Sequence, residues 1–180
     1  MILISNGGTN IQRASSSSDR VLVGTVDGVA LLAKSERGWT VKHRALQGCF
    51  VSAVTGLEDG ALFAATRGVG VARSDDGGMT WKWFNEGLSH HEFWSARAGR
   101  LKGREVVMVG ALPAHLYVSE DKGASWRELK AFRNAKSVSK WTFPPPPRIG
   151  HIKDIVFDGD RPCSRRIAGR RNGKIRRPGR

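Results

Sequence analysis

Apolar residues along this chain arrive in short runs broken by tight turns, and no stretch sustains the three-and-four spacing of an amphipathic helix. Three segments share one shape. "VLVGTVDGVALLAK" from residue 21, "ALFAATRGVGVAR" from 61 and "EVVMVGALPAHLYV" from 105 are each two apolar runs flanking a polar or glycine-containing turn. A further apolar stretch precedes each later pair: "CFVSAVTGL", "EFWSARAG" and, last, "HIKDIVFD". Read as strands A to D, the pattern predicts one unit at 49–57, 61–66, 70–74 and 81–85, and the next at 92–99, 105–111, 115–119 and 126–132. A first, incomplete unit starts at its B strand, 21–26, and a fourth reaches only an A strand, 152–158. Four short strands recurring every 40 to 45 residues or so predict an all-β chain of successive antiparallel sheets.

The turns between strands C and D carry a second repeat. "SDDGGMTW" (74–81) and "SEDKGASW" (119–126) agree at Ser74/Ser119, Asp76/Asp121, Gly78/Gly123 and Trp81/Trp126, an offset of 45 residues. "SERGW" (35–39) is a worn copy. Aspartate at such a corner accepts backbone N–H bonds, glycine supplies positive φ, and tryptophan buries a large ring between sheets. A calcium loop needs alternating oxygen ligands and a closing glutamate, which this spacing lacks. A catalytic carboxylate pair would need Asp75 and Asp76 on one face, yet adjacent residues of an extended chain point opposite ways. The second copy also holds Glu120 where Asp75 stands. The corners therefore read as structural, with no metal and no catalytic role.

Composition changes the picture at one end only. The chain has 180 residues, 39% of them apolar, mean hydropathy −0.35 and a net charge of +14. Residues 159–180 carry nine Lys/Arg against one acid, while the preceding 158 residues hold 21 basic and 15 acidic side chains. The basic segment has too few apolar residues to offset its ordering entropy, so 1–158 is expected to fold and 159–180 to be a disordered tail. Such a tail attracts polyanions non-specifically, but it lacks aromatics for base stacking. The N-terminal apolar run is too short for a signal peptide, and no run suits a membrane helix, so the expected compartment is the cytoplasm. Cys49 and Cys163 lack metal-site or disulfide spacing, and no cofactor is indicated.

The corner pattern Ser-x-Asp-x-Gly-x-[Thr/Ser]-Trp resembles the Asp-box of BNR (bacterial neuraminidase) repeat proteins, over residues 21–158 or so. That resemblance implies a β-propeller, here a partial one of about three four-stranded blades. Sialidases of this kind use three arginines, a Tyr–Glu nucleophile pair and an acidic Asp. This chain has one tyrosine, Tyr117, inside a predicted strand where packing is expected, and no catalytic residue carries over. The chain is also similar to uncharacterised bacterial BNR-repeat proteins of the sialidase-like or photosystem-assembly type, which run through further Asp-box blades. The loss of strand pattern after 158 leads to the expectation of a truncated or frameshifted version, an open arc prone to association.

The resemblance implies a ligand face away from the Asp-boxes, and strand alternation places the D-to-A and B-to-C loops there. Candidate ligand residues are Arg67, His91, His115, Trp141, Arg148 and His151, with Phe143 beside them and Pro144 to Pro147 expected in stiff polyproline geometry. Three imidazoles, His91, His115 and His151, come from neighbouring units and could converge on a metal, against the blander reading of rim residues. The expected function is a non-catalytic binding or scaffold module for a small molecule, glycan or protein. The alternatives are a sialidase-like hydrolase and polyanion binding through the tail.

Overall fold

The structure, a computed structural model, describes residues 1–6, 11–12, 17–143, 146–158 and 161–163, with 11–12, 158 and 161–163 described by their backbone alone. It is all-β: the only helical turns among the described residues are two short 3-10 segments, Lys130–Asn134 and Val138–Lys140.

Strands β1 (Ile2–Ile4), β2 (Ile11–Gln12), β3 (Arg20–Thr25), β4 (Gly28–Ser35) and β5 (Gly38–Ala45) form a first sheet in the order β2-β1-β3-β4-β5. The second sheet is β6 (Val51–Gly56), β7 (Leu62–Thr66), β8 (Val71–Ser74) and β9 (Lys82–Trp83), in chain order. The third is β10 (Phe93–Leu101), β11 (Arg104–Ala111), β12 (Leu116–Ser119) and β13 (Arg127–Glu128), also in chain order. Strands β14 (Val156–Asp158) and β15 (Arg161–Cys163) pair as an antiparallel ribbon.

Four expectations need correction. The first unit is not short of an inner strand, because β1 lies beside β3, parallel to it in an otherwise antiparallel sheet. The fourth strands of the second and third sheets are only two residues each, β9 against β8 and β13 against β12, and a 3-10 turn takes over from Lys130. Residues 161–163, assigned above to a disordered tail, pair with β14, and the rest of 159–180 lies outside the described residues. Finally, the Pro146–Pro147 peptide is cis, unlike the trans polyproline geometry expected, and Pro144 and Pro145 lie outside the described residues.

Apolar layers between sheets hold the fold together. Because strand side chains alternate, a strand with neighbours on both faces must be apolar throughout. Strand β11 shows this. Val107 and Val109 enter the layer between the second and third sheets with Phe63, Val71, Phe93, Tyr117 and Trp126. Val106 and Met108 enter the layer on the other face with Leu116, Val118, Ile152 and Ile155. Strand β7 divides likewise, Phe63 and Ala65 to one side, Leu62 and Ala64 to the other against Leu22, Val29 and Leu31 of the first sheet. The approach is close enough that a Cβ on Gly110 would lie 2.5 Å from both the Ile152 side chain and Ser95 Oγ. No sheet closes on itself among the described residues, and among them no helix is long and apolar enough to cross a membrane.

Candidate ligand face opposite the repeated corners

The two repeated Ser-x-Asp-x-Gly corners are built by one hydrogen-bond scheme. Ser74 Oγ donates to Asp76 Oδ1 at 2.8 Å and accepts the Gly78 N–H at 2.9 Å. Thr80 donates its N–H and its hydroxyl to Asp76, the latter at 2.6 Å. In the second corner Ser119, Asp121, Gly123 and Ser125 repeat these contacts. Gly78 (φ 95°) and Gly123 (φ 86°) take the left-handed backbone that lets the chain turn, and both press on the preceding sheet: a Cβ there would meet Leu22 at 3.3 Å and Phe63 at 2.7 Å. Trp126 lies in the layer between the second and third sheets and donates its indole N–H to Phe84 O at 2.8 Å. Trp81 packs one layer earlier, its N–H bonding within its own corner to Gly78 O. Further ties reach each corner from the sheet before it, His43 to Met79 O and Arg73 to Lys122 O.

Hydrogen bonds from the Thr80 hydroxyl and amide, then Ser74, hold the Asp76 carboxyl far below its ordinary range. At Asp121 burial pushes upward, but bonds from Ser125 and Ser119 outweigh it and leave the group lowered. Both carboxylates are thus consumed by their own turns. The worn copy forms a plain β4–β5 turn closed by Ser35 Oγ to Gly38 O, with Trp39 exposed. A cavity of about 540 Å³ opens near these corners, lined in part by Met1, Leu3, Glu58, Asp59 and Asp75. Its acids are paired: Asp59 with Lys122, Glu58 with Arg100, Asp75 with Arg73.

At the opposite end of the sheets the polar groups are less fully matched. The turn after β7 carries Arg67, whose guanidinium carbon lies 4.0 Å from the Phe50 ring centroid and 3.6 Å from that of Trp94. Trp94 in turn lies 4.0 Å from the His151 ring, and Phe143 meets His151 edge-on at 4.6 Å. Trp94 donates its N–H to Glu92 Oε1 at 3.1 Å. Phe50 lies just before β6, Trp94 near the start of β10 and His151 five residues before β14, so three successive segments converge on one column. Arg67 Nε is buried without a hydrogen-bond partner, as is Nε2 of His151, a residue only 1% exposed. Burial lowers the Arg67 pKa, opposed by the Glu92 charge. Burial first, then the charges of Lys153 and Arg67, bring His151 down to about 4, so its ring is neutral at neutral pH.

Farther out on the same end, the loop between β9 and β10 meets the third sheet. Tyr117 OH lies 2.6 Å from His90 Nδ1 and 2.7 Å from Ser89 Oγ. The His90 ring stacks on His115 at 4.1 Å and 28°. His115 bonds Glu128 through Nδ1 at 2.7 Å and Arg133 through Nε2 at 2.9 Å.

Of the candidates named from sequence, the structure joins Arg67 to His151 through Trp94 and places His115 in the outer cluster. His91 is exposed and contributes its backbone carbonyl, which accepts the N–H of Gly68 and of Gly70. Trp141 stands apart from the column, against Phe132 at 4.9 Å and bonded to Ser137. Arg148 is exposed and accepts the Phe143 N–H through its carbonyl. The idea of converging imidazoles is overturned, since His151 stacks on Trp94 and His115 on His90. Among the described residues no group of three or more His, Cys, Asp or Glu is arranged to hold a metal. Sequence reading passed over Trp94 and Phe50, and placed the 86–92 segment on this face without singling out His90 or Glu92. Trp94 was hard to read from alternation, because the pairing of β10 with β11 shifts register between Phe93 and Ser95 and leaves Trp94 in the irregularity.

The chain matches no protein-family model and no curated protein.

Proposed function

We propose that this chain is a non-catalytic binding module of the BNR/Asp-box propeller type, whose ligand occupies the face opposite the Asp-boxes, at Arg67. The observation that carries this reading is the Arg67 guanidinium. It is held against two aromatic rings, yet it makes no side-chain hydrogen bond or ion pair among the described residues. A cation fixed by packing, with unused donors, is prepared for a partner. A small molecule, a glycan or a protein segment fits that description. The Asp-box repeat, the chain-order sheets and the column joining successive segments support the propeller reading.

Hydrolysis of the sialidase kind is disfavoured by Tyr117. It is fully buried, its hydroxyl is engaged by Ser89 and His90, and burial raises its pKa. A nucleophilic phenolate needs the reverse.

An array of neutral, carboxylated and sulfated oligosaccharides, read with labelled full-length chain, tests the proposal. Binding lost in Arg67→Ala and Trp94→Ala but kept in Lys122→Ala, at the Asp-box end, is the expected result. Array binding indifferent to both far-face substitutions, or turnover of a fluorogenic sialoside, would overturn it.

A further inference from the structure

The loop between β9 and β10 touches both clusters on the ligand face. Ser89 and His90 bond Tyr117 in the outer one. One residue on, the His91 carbonyl takes the N–H groups of Gly68 and Gly70, 3.0 Å each, and so fixes the turn that presents Arg67. Glu92 then accepts the Trp94 indole through its side chain and the Leu112 N–H through its carbonyl. Whatever displaces His90 therefore acts, within two residues, on the backbone that holds Arg67 and on the partner of Trp94.

The outer cluster disfavours a charge on the His90 ring. An arginine N–H can only donate, so His115 Nε2 accepts from Arg133, and the His115 proton sits on Nδ1, donated to Glu128. Two arrangements satisfy the other three groups: the Ser89 hydroxyl to Tyr117 O with the Tyr117 hydroxyl to His90 Nδ1, or His90 Nδ1–H to Tyr117 O with the Tyr117 hydroxyl to Ser89 Oγ. A second proton on the His90 ring leaves Nδ1 donating to Tyr117 O, with the Tyr117 hydroxyl turned to Ser89 Oγ. It also places a charge 4.1 Å from the His115 ring, which Arg133 already contacts. The charged and titratable groups around the His90 ring are His115, Glu128, Arg133, Tyr117 and its chain neighbour His91, and of these only Glu128 favours a cation.

We propose that His90, stacked on His115, is a proton-operated latch: neutral, it holds the loop that fixes Arg67, and on acidification it releases that loop and disorganises the ligand face. The regulatory part rests on the reading of Arg67 as the ligand site; the movement of the loop does not. Desolvation by burial, and then the nearby His115 ring, hold His90 below its ordinary pKa of 6.5, so the latch stays shut at neutral pH.

The test is a pH titration of the isotope-labelled full chain by NMR, following the His90 ring and the amides of Gly68 and Gly70, with no ligand present. The expected result is that both amides shift with the same midpoint as the His90 ring, below 6.5, and that His90→Asn abolishes this shift. His151→Phe should keep it. Amides that stay still while His90 titrates, or an unchanged midpoint in His90→Asn, would sink the latch. If the variant does not fold, the coincidence of midpoints in the unaltered chain decides alone. Failure of the array experiment would leave the amide result standing, and would remove only the claim that the latch controls binding.

Discussion

Asp121 spends both carboxylate oxygens on one corner, accepting from the hydroxyls of Ser119 and Ser125 and from the Ser125 N–H. Truncation to alanine strips those donors of their acceptor in a part-buried turn, so Asp121→Ala should destabilise the chain by about 1–3 kcal/mol. Chemical denaturation of the two proteins side by side would measure it. Repetition made this role legible, because one carboxylate is ambiguous while two in register with the same serine, glycine and tryptophan are not. Nothing comparable marks Arg67 and His151, whose environment depends on loops 84 residues apart in sequence. His151 yields a sharper prediction at this scale. Its pKa is about 4 in the fold against an ordinary 6.5, so as pH falls the unfolded chain takes the proton first. Its contribution is present above 6.5 and is lost as pH falls to about 4, for a total of about 3 kcal/mol. His151→Phe keeps an aromatic ring against Trp94 and Phe143, and should flatten the stability–pH curve over that range in thermal melts.

At the scale of elements, inner and middle strands followed from the apolar runs because burial on both faces leaves an unmistakable mark. The outer strands did not. Lys82–Trp83 and Arg127–Glu128 are too short to alternate, and their ends are set by Asn85 Oδ1 accepting the Val71 N–H and by the 3-10 turn at Lys130. Strand β1 was missed because three apolar residues at the N-terminus carry no periodicity, and its place beside β3 is decided by packing of Leu3 on the second sheet. The connection after β9 is as constrained as any strand. Gly87 has φ 83°, and a Cβ there would lie 2.1 Å from the Trp126 carbonyl oxygen, while Trp126 N–H bonds Glu86 O. Gly87→Ala combines left-handed strain with a backbone clash that no rotamer relieves, so a loss of about 2 kcal/mol or more is expected. Because Trp126 moves with that loop, its fluorescence should shift to the red in the native baseline.

Across the whole molecule, successive sheets share apolar layers, and each middle sheet is buried on both faces. Among the described residues the first sheet is only partly covered on its outer face, where Val21 is buried but Trp39 and Val41 are not. Leu22, Val29 and Leu31 face the second sheet, and the register sets Val21, Leu32 and Val41 in one row of the opposite face, with Lys34 paired to Trp39 beside it. Trp39 is 45% and Val41 48% exposed. Large apolar side chains on strand β5, at the edge of its sheet, favour association between chains, through the face and through the unpaired backbone groups of the edge. Single aromatic or valine residues at a surface contribute little to folding, whereas a charge at each position opposes contact between copies. The double substitution Trp39→Lys, Val41→Lys should therefore reduce the sedimentation-detected oligomer fraction at micromolar concentration, with a melting temperature changed by only a few degrees. The same substitutions on a chain that sediments as a monomer to begin with would show nothing, and that outcome would refute the view that this face governs association. Lost stability without lost association would instead assign Trp39 and Val41 to packing within the first sheet.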